Sequence, residues 1–439
     1  MLAREAKALH EGVQVYFSVS GCTAEKHIFA NVCDAFPEGY QLVGSPFVAD
    51  IVVVYLCALS DEEIMSTAET MALLKLVKQQ NPSCKIIAGG CISEIVNIKQ
   101  LYPFVDFTYG RKPAVEEILR LVKEDAAPMN RFVPLIRHGV GMVEISNGCM
   151  RNCSFCKKAY LPMEFKSKPM DLIMDEVKQT LEKGSSFIYL VCENSTEYGV
   201  DIYGERKIKL LLQEILANNP SIKGLFLAGL VVDEIDRELL DYLVNEPKIL
   251  QLQVEIQSLD NSVRSAMNLK PNPKWTIKVI ETLKNRSLLT NVMIGHPGET
   301  EDGFRQQLKT IRRNNLWFIQ VNKFINTYGT PSFEMEQIPA DVVEKRLQKT
   351  AEVVFGLRKN EARKLIEESK TDPIQAIVER ISEKGIILMA IGVLVAIIVD
   401  PKKCTRELKP GEIVNVRLNE LFKLAIGGYQ IMMMKGEIV

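Results

Sequence analysis

The sequence lacks any hydrophobic run long enough to cross a membrane as a helix. Its most apolar stretch, Gly385 to Val399, has fifteen residues, and as a helix it would span roughly 22 Å against a hydrocarbon core of about 30 Å. Because this stretch is rich in Ile and Val, we interpret it as buried strands. The opening residues, MLAREAKALHEG, also lack the apolar core of a secretory signal. We therefore expect a cytoplasmic protein without a membrane role.

The chain also lacks an excess of charge of one sign, internal repeats and low-complexity tracts. Its 54 Lys and Arg residues stand against 55 Asp and Glu, for a net charge of −1. A nucleic-acid partner would therefore need a local basic patch, since no general positive field attracts it. With 439 residues, 47% apolar and 25% charged, the composition is that of a globular protein of two or three domains.

Ten cysteines are present. In a reducing compartment they are ligands or packed thiols rather than a disulfide framework, and their positions decide between these alternatives.

Residues 13 to about 120 alternate apolar runs of strand length with amphipathic stretches of helix length. The runs are VQVYFSVS, DIVVVYL, KIIAGG and VDFTYG, and helices are expected at His27 to Phe36, at Asp61 to Gln80 and near Ile92 to Leu101. This alternation predicts an α/β domain with a doubly wound parallel sheet.

Three cysteines follow the first three of these predicted strands: Cys22, Cys57 and Cys91. In a parallel sheet all strand carboxyl ends lie on one edge, where such folds bind their ligands. We therefore expect the three thiols to converge in space. The alternative is that each is a small buried apolar side chain, as free cysteine often is.

A second alternating series runs from about Arg131 to Val353. Its predicted strands are Gly141 to Ser146, Phe187 to Val191, Leu225 to Ala228, Leu252 to Ile256, Thr290 to Ile294 and Phe318 to Phe324. Six such units predict an open or partial (β/α)6 barrel, with the active-site residues on the loops that follow the strands.

The final part of the chain has a different residue pattern. A charged helix is expected over Lys349 to Lys370, ended by Asp372-Pro373, and from about Gln375 short β-branched runs alternate with Gly, Pro and Lys. This pattern predicts a small C-terminal β-barrel. We accordingly divide the chain into residues 1–128, 129–370 and 371–439.

The sharpest motif is the C-x3-C-x2-C run of Cys149, Cys153 and Cys156, within ISNGCMRNCSFC directly after the first barrel strand. Three thiolates can bind three corners of a cubane iron–sulfur cluster, which leaves one iron open to the amino and carboxylate groups of a small molecule. A structural zinc site is the competing interpretation. Zinc, however, needs four closed ligands, usually in paired C-x2-C halves, and no second half lies near.

This spacing, with Phe155 before the last cysteine, resembles the radical S-adenosylmethionine (SAM) superfamily. Further segments fall in the order seen in the methylthiotransferases of that superfamily, and the resemblance covers almost the whole chain. They are ENSTEYGVD from Glu193, the pair Gln257-Ser258, GHPGETEDGF from Gly295, YGTP from Tyr328, and LKPGEIVNVRLNEL from Leu408.

The resemblance implies a two-cluster radical enzyme. One 4Fe-4S cluster would sit on the C-x3-C-x2-C motif and bind SAM, and a second would sit on Cys22, Cys57 and Cys91. The C-terminal barrel would be a TRAM domain that recognises substrate, and the net reaction would replace an unactivated C–H with C–SCH3. A reductant protein would supply electrons, and we expect a monomer.

The resemblance also implies that some residues after the barrel strands contact SAM: Phe155, Glu193, Asn194, Gln257, Ser258 and Gly295. Ordinary structural or solvated loop roles are the alternative for them. His296 stands where the family usually has Phe, and we interpret it as structural.

The chain departs from the family pattern at Glu25, at Tyr55 and over Lys157 to Met163. These departures spare the cluster cysteines but bear on the substrate. The family's best-known substrates are a modified adenosine beside the tRNA anticodon and an aspartate of a small-subunit ribosomal protein.

A basic cluster in the C-terminal region could contact phosphates, although a solvated face is the alternative. It comprises Lys402, Lys403, Arg406 and Lys409. We expect methylthiolation at carbon 2 of the tRNA adenosine. The ribosomal protein or another peptide is one alternative substrate, and an iron- or redox-sensing RNA-binding protein without turnover is a second alternative function.

Overall fold

The computed structural model describes most of the chain in two compact units. The described residues are 12–19, 39–57, 61–110, 118, 120–122, 135–137, 139–160, 164–270, 272–404, 406–423 and 432–439. Unit 1 comprises residues 1–135 with 160–163, and unit 2 comprises 136–159 with 164–439. Cys22 and the helix expected at His27 to Phe36 lie outside the described residues.

Unit 1 contains a five-stranded sheet in the order β2-β1-β3-β4-β5. Its strands are β1 Val13–Val19, β2 Tyr40–Leu42, β3 Ile51–Tyr55, β4 Lys85–Gly89 and β5 Phe107–Tyr109. All neighbours pair in parallel, which confirms the predicted parallel sheet. The strand order reverses between β1 and β3, and open parallel sheets bind ligands outside the carboxyl ends at such a point.

The helices of unit 1 agree only in part with the prediction. Helix α1, Asp61–Gln80, has the predicted bounds. The helix expected near Ile92 to Leu101 is instead a 3-10 turn, Cys91–Glu94, followed by the short α2, Ile98–Leu101. The segment is divided because the side chain of Asn97 accepts a hydrogen bond from the Gln100 N–H and so starts a new helix.

Unit 2 begins with an open seven-stranded sheet in the order β14-β13-β12-β11-β10-β7-β6. Its strands are β6 Leu135–Arg137, β7 Val140–Glu144, β10 Phe187–Val191, β11 Gly224–Val231, β12 Ile249–Gln257, β13 Ser287–Ile294 and β14 Ile319–Lys323. The six strands from β7 to β14 pair in parallel and confirm the predicted series. Strand β6 was not expected. A short antiparallel pair, β8 Ser146–Asn147 with β9 Lys166–Ser167, follows β7 in sequence.

Helices cover the outer face of this sheet. They are α3 Met170–Glu182, α4 Val200–Tyr203, α5 Ile208–Asn218, α6 Arg237–Asn245, α7 Asn261–Ala266, α8 Pro273–Leu283, α9 Glu301–Arg313 and α10 Ala340–Thr371. Strand β12 shows why the two faces differ: Leu252, Val254 and Ile256 are buried in the core that includes helix residues such as Leu240. The alternate positions of β12 are polar and face the interior of the partial barrel, which we call the lumen.

The last five strands close into a small barrel in the order β15-β16-β17-β19-β18. They are β15 Ile374–Ser382, β16 Gly385–Ala390, β17 Val395–Val399, β18 Ile413–Lys423 and β19 Met432–Ile438. The apolar stretch Gly385 to Val399 thus forms two strands and their turn, as predicted. The charged helix is longer than predicted: α10 begins at Ala340 rather than Lys349, because its first turns bury Val343 and Arg346.

The C-terminal barrel packs against the amino ends of the partial-barrel strands. Ile377 of β15 is buried in one cluster with Phe187, Phe226 and Leu250, which lie near the starts of β10, β11 and β12. Beside them, a Cβ added to Gly139 would lie 2.4 Å from the Cα of Gly411. The C-terminal barrel therefore closes the end of the partial barrel opposite to the carboxyl edge.

Within the described residues, no helix combines the length and apolarity required to span a membrane.

Two isoleucines on β15 test how much this packing stabilises the chain. Ile377 is 2% exposed, whereas Ile381 is 42% exposed on the same strand. We expect Ile377→Ala to lower the free energy of unfolding by about 2–5 kcal/mol, because it leaves a cavity between the two barrels. Ile381→Ala should change it by less than about 0.5 kcal/mol. Denaturant unfolding of both variants measures the difference, and equal effects would contradict the packing described.

Candidate active site

The three cysteines of the C-x3-C-x2-C motif lie on the loop that follows β7 and β8, at the carboxyl edge of the partial barrel. All three side chains are half-buried. The loop starts at Gly148, which has φ of +83°, and a Cβ at this position would lie 3.0 Å from the Glu164 carbonyl oxygen. Only glycine satisfies both conditions without strain, so the motif needs it before its first cysteine.

Carboxylates from the segment after β10 hold the backbone of this loop. Glu193 accepts a hydrogen bond from the Gly148 N–H at 3.1 Å, and Glu197 accepts one from the Met150 N–H at 2.9 Å. The amide nitrogen of Asn194, which is fully buried, lies 3.8 Å from the Sγ of Cys149. Glu193 and Asn194, both expected to contact SAM, therefore lie directly beside the cysteine loop.

A buried charge network supports the loop from the next two strands. Arg151 pairs with Asp233 at 3.2 Å and with Glu234 at 2.9 Å. Arg264, 0% exposed, pairs with Asp233 and donates to the carbonyl of Ile256 at 2.6 Å. We did not predict these residues, although the Asp-Glu pair directly after β11 and the arginine inside the motif were visible in the sequence.

The donor set fits a soft metal cluster. Burial raises the pKa of the Cys149 thiol to about 12 and also raises the pKa of Cys153. Free thiolates are therefore disfavoured here. A bound iron ion that takes the place of the thiol proton would compensate the negative charge of the thiolate. Among the described residues, no three His, Cys, Asp or Glu side chains meet at a point that could hold a single metal ion. A cubane does not require such a point, since each of its thiolates binds a different iron.

Phe155, Gln257 and Ser258 lie on different sides of this edge. Phe155 packs in an apolar cluster with Val263 and Met267. Gln257 donates from its amide to the Glu255 carboxylate at 3.0 Å. The Ser258 hydroxyl is buried and 3.2 Å from the Gln307 side-chain oxygen on α9, so it ties β12 to the outer helices.

A polar wall lines the lumen on β12, β13 and β14. Glu255 accepts from Gln253 at 2.8 Å as well as from Gln257, and Asn291 donates to the oxygen of Gln257 at 3.2 Å. Burial raises the pKa of Glu255. The buried amide nitrogen of Gln320 has no hydrogen-bond partner among the described residues. This wall was missed, although polar residues at every second position of LQLQVEIQ indicated it.

Gly295 and His296 form the turn after β13. Gly295 has φ of +89°, and a Cβ there would lie 2.6 Å from a methyl of Val343 on α10. His296 is fully buried, its Nδ1–H donates to the Pro297 carbonyl at 2.7 Å, and its Nε2 accepts from the Ser332 hydroxyl at 2.8 Å. Burial lowers the pKa of His296 to about 4. The imidazole is therefore neutral and acts in packing.

Two cysteines of unit 1 lie at the carboxyl ends of adjacent strands. Cys57 follows β3 and Cys91 follows β4, and both are buried. A Cβ on Gly90 would lie 2.7 Å from the Leu56 carbonyl oxygen, so the two segments are pressed together at this point.

Comparison with known proteins shows which proteins this chain is similar to. Residues 143–311 match the radical SAM superfamily. The ribosomal protein uS12 methylthiotransferase RimO of Carboxydothermus hydrogenoformans is 27% identical over 463 positions, which cover 97% of this chain and 99% of that protein. The tRNA-2-methylthio-N(6)-dimethylallyladenosine synthase of the same organism is 26% identical and covers 81% of this chain and 89% of its own length. These similarities support a divergent radical SAM methylthiotransferase.

A solved structure shares the fold at much lower identity. It is the radical SAM methyltransferase TsrM of Kitasatospora setae, with a TM-score of 0.52, 11% identity and coverage of 73% of this chain and 74% of that one. The cofactors of the methylthiotransferase family are SAM and two 4Fe-4S clusters.

The basic cluster lies away from the cysteine loop. Lys402, Lys403 and Lys409 are exposed, and Arg406 pairs with Glu412 at 2.5 Å. The turn after Lys409 meets Gly139 at the amino edge, so the cluster is at the opposite end of the partial barrel from the cysteines.

Removal of Arg264 tests the buried charge network. We expect Arg264→Met to destabilise the fold by about 3 kcal/mol or more, because it leaves Asp233 buried with less compensation. Arg305 is a matched control, since its ion pair with Glu301 is exposed, and Arg305→Met should change stability by less than about 1 kcal/mol. Thermal unfolding of the anaerobic proteins compares the two variants, and similar shifts would show that the network is not a stabilising element.

The neutral state of His296 predicts a pH dependence. The folded-state pKa of about 4 lies below the unfolded value of about 6.5, so the unfolded chain binds the proton first as the pH falls. Stability should therefore fall between pH 6.5 and pH 4, by about 2 kcal/mol at pH 5 relative to pH 7.5 for this group. His296→Phe should remove this component. If unfolding midpoints of both proteins have the same pH slope, the imidazole does not remain neutral.

Proposed function

We propose that this enzyme inserts a methylthio group at carbon 2 of a modified adenosine beside the tRNA anticodon. The observation that carries the proposal is the position of Cys149, Cys153 and Cys156 at the carboxyl edge of a partial barrel whose lumen wall is rich in amide side chains. The enzyme class follows from the family. The substrate is the proposed part.

The chain's residues have distinct roles around the barrel cluster. The three motif cysteines would hold it, and a cluster held by three thiolates would have an iron available to bind SAM. Bound there, the cluster and SAM would supply the radical chemistry that activates a C–H bond of the substrate. Glu193 and Asn194 orient the first cysteine, and Gln257 and Gly295 border the space in which SAM binds. Phe155 packs on the apolar side of this space, and Ser258 lies on the side that faces the outer helices.

We assign a second 4Fe-4S cluster to Cys22, Cys57 and Cys91. Support comes from Cys57 and Cys91, which are both buried and follow adjacent strands at the carboxyl edge of the unit 1 sheet, near the point where the strand order reverses. An electron-donating protein is the implied partner, and a monomer would suffice for both sites.

Two features of unit 2 favour an adenosine substrate. Asn and Gln amides are the side chains that pair with the hydrogen-bonding edge of adenine, and Gln253, Gln257, Asn291 and Gln320 bring four of them to the lumen. A base displaced from its stack can enter such a pocket and be recognised by its edge.

The C-terminal barrel provides a second point of contact. We propose that it is TRAM-like and that Lys402, Lys403, Arg406 and Lys409 bind phosphates. The nine residues of β12 span roughly 30 Å, and a folded tRNA is large enough to reach from the cysteine edge to this basic cluster. Residues 371–439 would then form a substrate-recognition domain beside a barrel of residues 129–370 and an N-terminal domain of residues 1–128.

The second candidate substrate is an aspartate of ribosomal protein uS12. It is favoured by the similarity to the uS12 methylthiotransferase, which extends over nearly the full length of both chains.

An anaerobic reconstitution assay separates the candidates. With SAM, a reductant and either tRNA or ribosomal protein, we expect about eight irons per chain for two 4Fe-4S clusters and a mass gain on tRNA equal to SCH3 in place of H. The triple variant Cys149→Ala, Cys153→Ala, Cys156→Ala should retain about four irons and lose SAM cleavage. Modified ribosomal protein with unmodified tRNA would establish the second candidate. SAM bound but never cleaved would leave a sensing role.

A further inference from the structure

Tyr55, the last residue of β3, contacts a cysteine of the proposed second cluster. Its side chain is 1% exposed and its hydroxyl oxygen lies 3.3 Å from the Sγ of Cys91, which is 0% exposed. The family usually has a smaller side chain, Asn, at this position. The departure noted in the sequence therefore places a phenol hydroxyl against a ligand sulfur.

The backbone holds these two side chains together. Tyr55 is in register with Gly89 on β4. The Leu56 N–H donates to the Gly89 carbonyl at 2.8 Å, and the Ile92 N–H donates to the Leu56 carbonyl at 3.2 Å. Gly90 lies so close to Leu56 that an added Cβ would lie 2.7 Å from the carbonyl oxygen. The pairing of β3 with β4 therefore fixes the backbone from which the hydroxyl and the sulfur approach each other.

The direction of the hydrogen bond follows from the chemistry of the ligand. A cysteine sulfur bound to iron is a thiolate and carries no proton. It can only accept, so the Tyr55 hydroxyl donates. A hydrogen bond to a charged acceptor is stronger than a neutral one, and here it acts in a buried site where water does not compete.

We propose that Tyr55 is a positioning residue that raises the reduction potential of the second cluster through its hydrogen bond to Cys91. Reduction adds one electron from the reductant protein, and the added negative charge is shared with the thiolate sulfurs. A donor at one sulfur stabilises the reduced state more than the oxidised state, and hydrogen bonds to sulfur are among the factors that set the potential of such clusters. No proton or covalent bond passes through Tyr55. The inference rests on the proposed assignment of the second cluster.

Tyr109 on β5 supplies a matched control. It is also buried in unit 1, but its hydroxyl donates to the backbone carbonyl of Val54 at 2.5 Å. Tyr55→Phe and Tyr109→Phe each remove one buried phenol hydroxyl from the same sheet. Only the first removes a donor to a cluster ligand.

The test is an EPR-monitored redox titration of the full-length chain in the triple variant that lacks Cys149, Cys153 and Cys156, so that only the second cluster gives a signal. We expect Tyr55→Phe to keep the iron content of its parent and to shift the midpoint potential to a more negative value. Tyr109→Phe should leave the potential unchanged. An unchanged potential in Tyr55→Phe, or equal shifts in both variants, would overturn the inference.

A second variant keeps the test decisive if Tyr55→Phe loses iron. Replacement of Tyr55 by 3,5-difluorotyrosine retains the shape of the side chain and makes the hydroxyl a stronger donor, so the potential should become more positive. No shift, or a negative one, would again overturn the inference. Absence of iron from the triple variant with Tyr55 intact would instead remove the second cluster itself, and with it the two-cluster function. The two failures are therefore distinguishable.

Discussion

The arrangement of the site depends on the burial of thiols at the carboxyl edges of two parallel sheets. A thiolate in such a position is disfavoured unless a positive charge compensates it, as the raised pKa of Cys149 shows. Backbone N–H groups in the cysteine loop are already used by Glu193 and Glu197, so the loop is held in shape by groups other than its cysteines. The carboxylates thereby provide the rigidity that the proposed cluster site requires.

In unit 2, the residues of the candidate site and the apolar contacts that stabilise the fold lie at opposite edges of the partial barrel. The carboxyl edge of the partial barrel carries the cysteine loop, the buried arginine network and the turn at Gly295. The amino edge is filled by apolar side chains, among them Phe187 and Ile377, and is closed by the C-terminal barrel. Among the described residues, the C-terminal barrel thus fills the amino end of the lumen, while the polar wall around Glu255 lies within the lumen on β12 to β14. The basic cluster lies at the opposite edge from the cysteine loop.

Some features could be predicted because they depend on local patterns. The strands β7 to β14 were recognisable from apolar runs between helical stretches, and the C-x3-C-x2-C spacing specifies its chemistry without any knowledge of packing. Other features depend on contacts between distant residues. Arg264 is an ordinary helical arginine in the sequence, and only the fold places it beside Asp233. The short α2 and the early start of α10 differ from prediction because a side-chain cap at Asn97 and the burial of Val343 determine those ends.

The sequence by itself determined the class of fold, the cysteine motif and the resemblance to radical SAM enzymes, because periodicity and ligand spacing are properties of short segments. Only the tertiary structure decided which groups surround those cysteines. It brought the Tyr55 hydroxyl to Cys91, enclosed His296 as a neutral packing residue, and placed Lys402 and its neighbours at the edge opposite the cysteine loop. The physical reason is that burial, hydrogen bonding and charge pairing are set by residues far apart along the chain, which no local pattern records.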